Sequence, residues 1–177
     1  MEVEKIRLRP VEKFDLELLR RWRNDPDIMA RTRQWRMLSM EDQHKWFSSL
    51  YNNNPPSDLV YVIESRMAEP AFTVNWQRIG VCGLCHIDWI ARKAEISIYI
   101  GNVEWRRKGV GQFCVKDLIY IAFDNMNLTS VFAEIYSFNT PGIKLFEACD
   151  FKPCGKIERN VYKNGIYHNS LFYEFAK

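Results

Sequence analysis

No apolar run in this sequence approaches membrane-spanning length, so a membrane partner is not expected. The opening Met1-Glu2-Val3-Glu4-Lys5 has no apolar core, which argues against a signal peptide. Internal repeats and low-complexity tracts are also missing, which excludes a repeat array. Cysteine is sparse, five residues at irregular spacing. An odd, scattered set reads as free thiols in a reducing cytoplasm rather than as a disulfide framework. A dense excess of one charge is lacking too. The formal net charge of +3 suits a small anionic ligand and falls short of the basic face of a nucleic-acid binder, so no nucleic-acid partner is expected. What is present is apolar substance. At 177 residues and 47% hydrophobic, the chain can bury the core of one domain spanning 1–177 and is short for two.

Taken in order, Ile6-Arg7-Leu8-Arg9 alternates as a short strand closed by Pro10. Phe14 to Trp22 is an amphipathic helix with apolar residues at 14, 16, 18, 19 and 22, and a second helical piece follows Pro26. Residues 31–38 form a basic, aromatic connection. Ser39 with Asp42 three residues on reads as an N-cap for a helix to about Tyr51, its buried side bearing Trp46, Phe47 and Leu50. Residues 52–58 form a loop. Strands are expected at Leu59–Glu64, Ile79–Ile90, Arg92–Ile100 and Val131–Ser137, with a looser connection over 65–76 and a bulge marked by the glycines of the second. Helices are expected from Phe113 to about Asn125 and at Thr140–Cys149. Phe151–Ile157 and Ile166–Phe175 pair around Lys163-Asn164-Gly165, where Asn-Gly is the strongest short hairpin signal. The class is therefore α+β, or mixed α/β: about seven strands in a mostly antiparallel sheet, with about four helices.

The stretch around which the rest is arranged is Trp105-Arg106-Arg107-Lys108-Gly109-Val110-Gly111-Gln112, between a strand and a helix. A basic, glycine-containing loop that opens a helix can hold phosphate. Glycine takes positive φ and lets backbone approach, and the first-turn N–H groups face the anion. The loop is too short for the Walker pattern and lacks the third glycine of the dinucleotide fingerprint. A solvated basic turn capping a helix is the alternative reading.

Arg106-Arg107-Lys108-Gly109-Val110-Gly111 resembles the Q/R-x-x-G-x-G/A loop of the GNAT (GCN5-related) N-acetyltransferase superfamily. Asn139, Leu145-Phe146-Glu147 and Phe151 resemble its N-x-x-A-x-x-L-Y-E-x-x-G-F segment. Leu8-Arg9-Pro10, Trp22-Arg23-Asn24-Asp25-Pro26, His44-x-Trp46-Phe47 and the Tyr162–Asn169 run are similar to one branch of it. That branch holds ribosomal-protein N-terminal, spermidine and amino-sugar acetyltransferases. The resemblance implies a GNAT fold and transfer of an acetyl group from acetyl-CoA to a small-molecule primary amine, by a monomer or homodimer, without a metal. It implies that backbone of Arg107, Lys108, Gly109, Val110, Gly111 and Gln112, beside Arg106, holds the pyrophosphate. Ile98, Tyr99 and Ile100 would pair with pantetheine amides, and Asn139 would reach the cofactor from beyond the other central strand.

Three departures bear on chemistry. Phe146 stands where family members usually carry the tyrosine that protonates the leaving thiolate, Asp150 replaces a usual Gly, and Gly142 a usual Ala. Another group, water or the helix dipole must then serve the thiolate, and Tyr136 on the neighbouring strand is the candidate acid. Glu95 is the first candidate base, sharing a strand face with Ser97 and Tyr99 by period 2. Asp88 and Glu134 are alternatives, and a surface ion pair of Glu95 with Arg92 or Lys93 is the structural reading. Arg31, Arg33, Trp35 and Arg36, followed by His44, fall in the region that covers the acceptor cleft in this family. Guanidiniums suit phosphates and tryptophan offers a stacking face, so a nucleotide-linked amino sugar is the expected acceptor, with Arg31, Arg33, Trp35 and His44 as its contacts. A polyamine is disfavoured by so basic a cover. Protein N-termini, aminoglycosides and a catalytically weakened acyl-CoA-binding protein are the other readings. Cys82-Gly83-Leu84-Cys85-His86 spells the c-type haem attachment pattern, but it lies in a strand-like apolar run and is set aside. Zinc is set aside for want of a second Cys/His pair at usable spacing.

Overall fold

A computed structural model describes residues 5–66 and 75–177. Seven strands form one sheet: β1 (Ile6–Pro10), β2 (Leu59–Arg66), β3 (Trp76–Asp88), β4 (Lys93–Ile100), β5 (Ser130–Tyr136), β6 (Lys152–Lys163) and β7 (Ile166–Ala176). Their order is β1-β2-β3-β4-β5-β7-β6, and every neighbouring pair is antiparallel except β4 and β5. Five α-helices cover it: α1 (Leu16–Arg23), α2 (Pro26–Ala30), α3 (Met40–Ser49), α4 (Val110–Tyr120) and α5 (Thr140–Glu147). One more helix than expected appears because Pro26–Ala30 is long enough to count, its amides capped by Asp25.

The sheet separates two apolar layers. On one face, Leu16 and Leu19 of α1 and Phe47 of α3 close over Val62 and Val81. Full burial of each such leucine contributes about 1.5–3 kcal/mol. On the other face α4 presents Val110, Cys114 and Leu118 at helical spacing to Leu84, Ile96 and Val131. Strand alternation then assigns β4: Ala94, Ile96, Ile98 and Ile100 pack toward α4, while Glu95, Ser97 and Tyr99 face the α1–α3 side.

Local chemistry sets several boundaries. Ser39 and Asp42 form the expected capping box, each accepting from the other's backbone N–H. Asn164 and Gly165 turn the β6–β7 hairpin with φ of 52° and 81°, the pair of positive values that a type I′ turn requires. Helix α4 starts three residues before the expected Phe113 and ends in a π-helical turn over Ile121–Asn125, where Met126 N–H bonds Ile121 O at 3.0 Å. The bulge in β3 falls at Ile79, which is left without a partner between Ile63↔Gly80 and Glu64↔Arg78. Of the connection expected at 65–76, residues 65, 66 and 76 belong to strands and 67–74 lie outside the described residues. Phe14, expected on the buried face of the first helix, is 70% exposed, because Lys13–Asp15 forms a 3₁₀ turn that rotates its ring outward beneath Arg9. Among the described residues no helix is long and apolar enough to cross a membrane.

Candidate active site

Strands β4 and β5 pair only over Lys93–Glu95 and Ser130–Phe132. Beyond that point β4 stays with β3 to Ile100, and β5 stays with β7 to Tyr136. The two strands fork, and their facing edges lose the ladder that would satisfy them. Ile98, Tyr99 and Ile100 lie on one arm of this fork and Tyr136 on the other.

The basic loop closes the top of β4. Arg106 Nε donates to Ile100 O at 3.0 Å and Arg106 N–H to Val103 O at 3.1 Å, so this side chain fastens the loop to its strand. From Arg107 through Gln112 no backbone N–H has an acceptor among the described residues. The first bond of the helix runs from Phe113 N–H to Gly109 O, 3.1 Å. Arg107 and Gly109 hold φ of 62° and 80°, and a Cβ at 109 would meet nothing within 4 Å. An array of free donors at the positive end of α4, with open space before it, fits a diphosphate. Gly111, besides contributing an amide to this array, serves packing. A Cβ there would lie 3.1 Å from Leu145 Cδ1, so its bareness lets α4 and α5 approach. Asn139 caps α5, its Oδ1 accepting from Gly142 N–H at 3.3 Å. A Cβ at 142 would press to 2.6 Å of Asn139 Nδ2, which accounts for glycine in place of the usual alanine. Asp150 has φ of 66°, the left-handed conformation that favours Gly and that Asp tolerates better than most residues.

Glu95, the last residue of β4 paired with β5, and Glu134, two residues beyond its partner Phe132 on the β5 arm, lie on the same face of the sheet, and a single guanidinium joins them. Arg33 donates to both oxygens of Glu95 at 2.8 and 3.0 Å, and through Nε to Glu134 Oε2 at 3.0 Å. His86 Nδ1 lies 2.8 Å from Glu95 Oε2, while Ser170 Oγ and Asn160 Nδ2 hold the other oxygen of Glu134. Glu95 is 7% exposed. Burial alone would lower the Arg33 pKa, but the bonds to Glu95 and Glu134 outweigh it and raise it. Burial likewise pushes Glu134 up, and Ser170 and Arg33 bring it below the usual carboxylate range. Glu134 therefore stays ionised at neutral pH. The surface pairing of Glu95 with Arg92 or Lys93 is not formed. Arg92 instead bonds the Asn127 carbonyl, and Asp88 caps the following turn at Ile90 and Ala91.

The residues expected to hold an acceptor scatter. Arg33 is engaged by two carboxylates, so a phosphate would have to compete with both for it. Arg31 lies 3.7 Å from Asp27, and Arg36 pairs bidentately with Asp42. Trp35 is 83% exposed with Arg36 over its ring, and His44 is exposed on α3. The cover is thus basic in sequence and largely neutralised in space. Beneath it lies a cavity of about 240 Å³ between α1, α3 and strands β2–β4, with Arg23, Asp42, Trp46, Cys85, Ser97 and Tyr99 on its walls. Cys85 stands opposite Glu95 in the β3–β4 register, so the cavity ends beside the carboxylate cluster. Burial, with Asp58 and Glu95 adding to it, pushes the Cys85 thiol up to about 12, so it is no nucleophile at neutral pH.

Phe146 is buried at 5% exposure, its ring edge-on to Phe151 at 5.0 Å in the core under α5. Tyr136 is buried as a residue, yet its hydroxyl bonds no group among the described residues and is not sealed from solvent. Burial first, and then Glu134, raise its pKa, which keeps the phenol protonated. His86, Ser170 and Asn160 were not foreseen as parts of the site. His86 appeared only within the cysteine pattern, where Cys82 is fully buried inside β3, and nothing local signals that φ of 50° aims its ring at Glu95.

A sheet forked at its centre, with a free amide array at the head of the following helix, fits an acyltransferase of the acetyl-CoA type. The sequence model described as "Acetyltransferase (GNAT) domain" matches residues 5–152, and the chain belongs to that family. It is an acetyl-CoA-dependent N-acetyltransferase that acts on an amine. The spermidine N(1)-acetyltransferase of Escherichia coli K12 is 25% identical over 168 residues, 94% of this chain and 83% of that protein. The acetyltransferase PseH of Campylobacter jejuni is 22% identical over 77% of this chain and 76% of its own length. Among solved structures, the spermidine N-acetyltransferase of Vibrio cholerae in complex with CoA and spermine superposes with a TM-score of 0.84. It is 22% identical and covers 97% of this chain and 95% of its own.

Proposed function

We propose that this chain acetylates a small primary amine that arrives as an ammonium ion, with a polyamine as the first acceptor to test. The carrying observation is the pair of carboxylates, Glu95 at the mouth of the fork on β4 and Glu134 on the β5 arm, joined by Arg33 at the end of the cavity. Acetyl-CoA supplies the acyl group as an activated thioester. The N–H groups of Arg107–Gln112 are the donors for its diphosphate, and the unpaired edge of β4 at Ile98–Ile100 faces the space that a pantetheine chain would occupy. The two carboxylates draw in the ammonium. Glu95 then takes a proton so that the amine nitrogen regains its lone pair. The Tyr136 hydroxyl is the proton donor on the opposite arm. Names among the relatives, spermidine acetyltransferases of two bacteria, support the same choice.

The basic cover no longer weighs against a cation, since Arg31, Arg33 and Arg36 each face a carboxylate. A cavity of 240 Å³ is below the range of about 300–1,000 Å³ usual for drug-sized ligands, which favours a slender acceptor over a whole sugar nucleotide. The nucleotide-linked amino sugar remains the second reading, carried by the exposed Trp35 beside Arg31 and Arg36 as a surface on which a base could stack. Steady-state thiol release from acetyl-CoA with spermidine and with a nucleotide-linked amino sugar separates them. The first reading expects the higher kcat/KM with spermidine, and a preference for the sugar nucleotide would overturn it.

A further inference from the structure

We infer that Arg33 occupies the position of the acceptor's ammonium and thereby sets the enzyme's selectivity for it; the inference rests on the reading of Glu95 and Glu134 as the acceptor's carboxylates. The guanidinium comes from the connection between α2 and α3, 62 and 101 residues away in sequence from the carboxylates it bridges. It takes both oxygens of Glu95 and one of Glu134. A bidentate pair of this kind is a specific, charge-assisted contact, and it is the same chemistry by which those carboxylates would receive a protonated amine. With Arg33 in place Glu95 has no oxygen free of a cationic donor, so the acceptor and the arginine compete.

The connection is built so that Arg33 can leave alone. Next to it, Gln34 is buried and bonds Asn24, Arg23 and the Arg36 carbonyl. Lys163, at the tip of the β6–β7 hairpin, donates to Gln34 O at 2.7 Å and Met29 O at 3.2 Å. The backbone on both sides of Arg33 is therefore pinned by other groups, while the Arg33 side chain is 52% exposed and has solvent to swing into. Its partners are pinned as well, Glu95 by His86 and Glu134 by Ser170, so the carboxylates stay in place when it goes. An acceptor with one ammonium must displace a bidentate guanidinium. One with two or more positive charges pairs with the carboxylates more strongly and displaces it more readily. Arg33 thus acts as a threshold that favours polycationic amines over monoamines.

The test is a KM-against-kcat comparison of wild type, Arg33→Gln and Arg33→Lys, with spermidine and with a monoamine of similar length. Arg33→Gln removes the competing charge, so KM for the monoamine falls about tenfold, the loss of one charge-assisted hydrogen bond's worth of competition. KM for spermidine falls less, and KM for acetyl-CoA does not change. Arg33→Lys keeps the charge but not the fork, and gives an intermediate KM. If Arg33→Gln does not fold, the Arg33→Lys protein carries the test through its own smaller drop. Unchanged or raised KM for the amines in the folded variants overturns the inference, and a rise is what an arginine holding an acceptor phosphate would give. Failure of the underlying reading looks different: wild type itself would release no thiol with either amine.

Discussion

The two glycines of the basic loop are alike in sequence and opposite in structure, and substituting each separates ligand binding from packing. Gly109 is exposed at φ of 80° with no neighbour near its missing Cβ. Valine there meets no clash, but left-handed backbone costs an L-residue about 1–2 kcal/mol, and more for a β-branched one. An exposed loop relieves that strain by rotating φ negative, which turns the amides of Arg107–Gln112 away from a common focus. Losing two charge-assisted bonds at about 1.5 kcal/mol each weakens CoA about a hundredfold. Gly111→Ala acts on the other side. Its Cβ would press to 3.1 and 3.2 Å of the two Leu145 methyls, an overpacking of about 1–3 kcal/mol between α4 and α5. That lowers Tm by about 2–4 °C per kcal/mol for a chain of this size and leaves the free donors where they are. Isothermal titration with CoA and differential scanning calorimetry on the same two variants read both effects. If Gly111→Ala lost CoA while Gly109→Val kept it, the assignment of the donor array to the loop would be refuted.

The other predictions concern the chemistry and the ion pairs. Glu95→Gln lowers kcat by about 10²–10⁴, the range for loss of a general base, with CoA affinity unchanged in a titration; a kcat within threefold of wild type sinks Glu95 as base. Tyr136→Phe lowers kcat with little change in Tm, whereas a Tyr136→Phe enzyme of full activity removes it as the acid. Phe146→Tyr places a hydroxyl among Phe151 and the core, so it lowers Tm and does not raise kcat; faster turnover would show that position 146 reaches the reacting atoms. Asp15 is held by Arg9 at 2.7 Å, by the Glu12 amide and by Arg78. Burial pushes its pKa up, and those three partners together bring it below the ordinary carboxylate value. A lowered folded pKa gives stability that is full above the unfolded value of about 3.9 and is lost as pH falls through the folded one. The Tm difference between wild type and Asp15→Asn should therefore be constant from pH 7 to 5 and shrink below pH 4; a difference that persists at pH 2 contradicts the linkage.

What the sequence makes legible is local. The Asn164-Gly165 turn, the Ser39–Asp42 cap and the strand–loop–helix around Gly109 each depend on residues a few positions apart, and each is found where its pattern lies. Leu16 and Leu19 were readable from spacing, but Phe14 was not, because its exposure follows from a 3₁₀ turn entered one residue earlier. The acceptor side was misleading for a related reason. Arg31, Arg33 and Arg36 form a basic run in sequence, and only the fold shows that each faces a carboxylate, two of them on strands more than sixty residues away. The packing role of Gly111 could not be read from its motif, since the residue beneath it, Leu145, belongs to another helix. The strand face of Glu95 was legible from alternation, whereas the place of His86 beside it depended on a left-handed residue near the end of β3.

A crystal structure of the chain grown with CoA tests the central claim most directly. The account predicts diphosphate oxygens within hydrogen-bond distance of the N–H groups between Arg107 and Gln112, and the pantetheine arm lying between β4 and β5 beyond Glu95. CoA bound elsewhere, or a diphosphate held by side chains with those amides facing water, would contradict it.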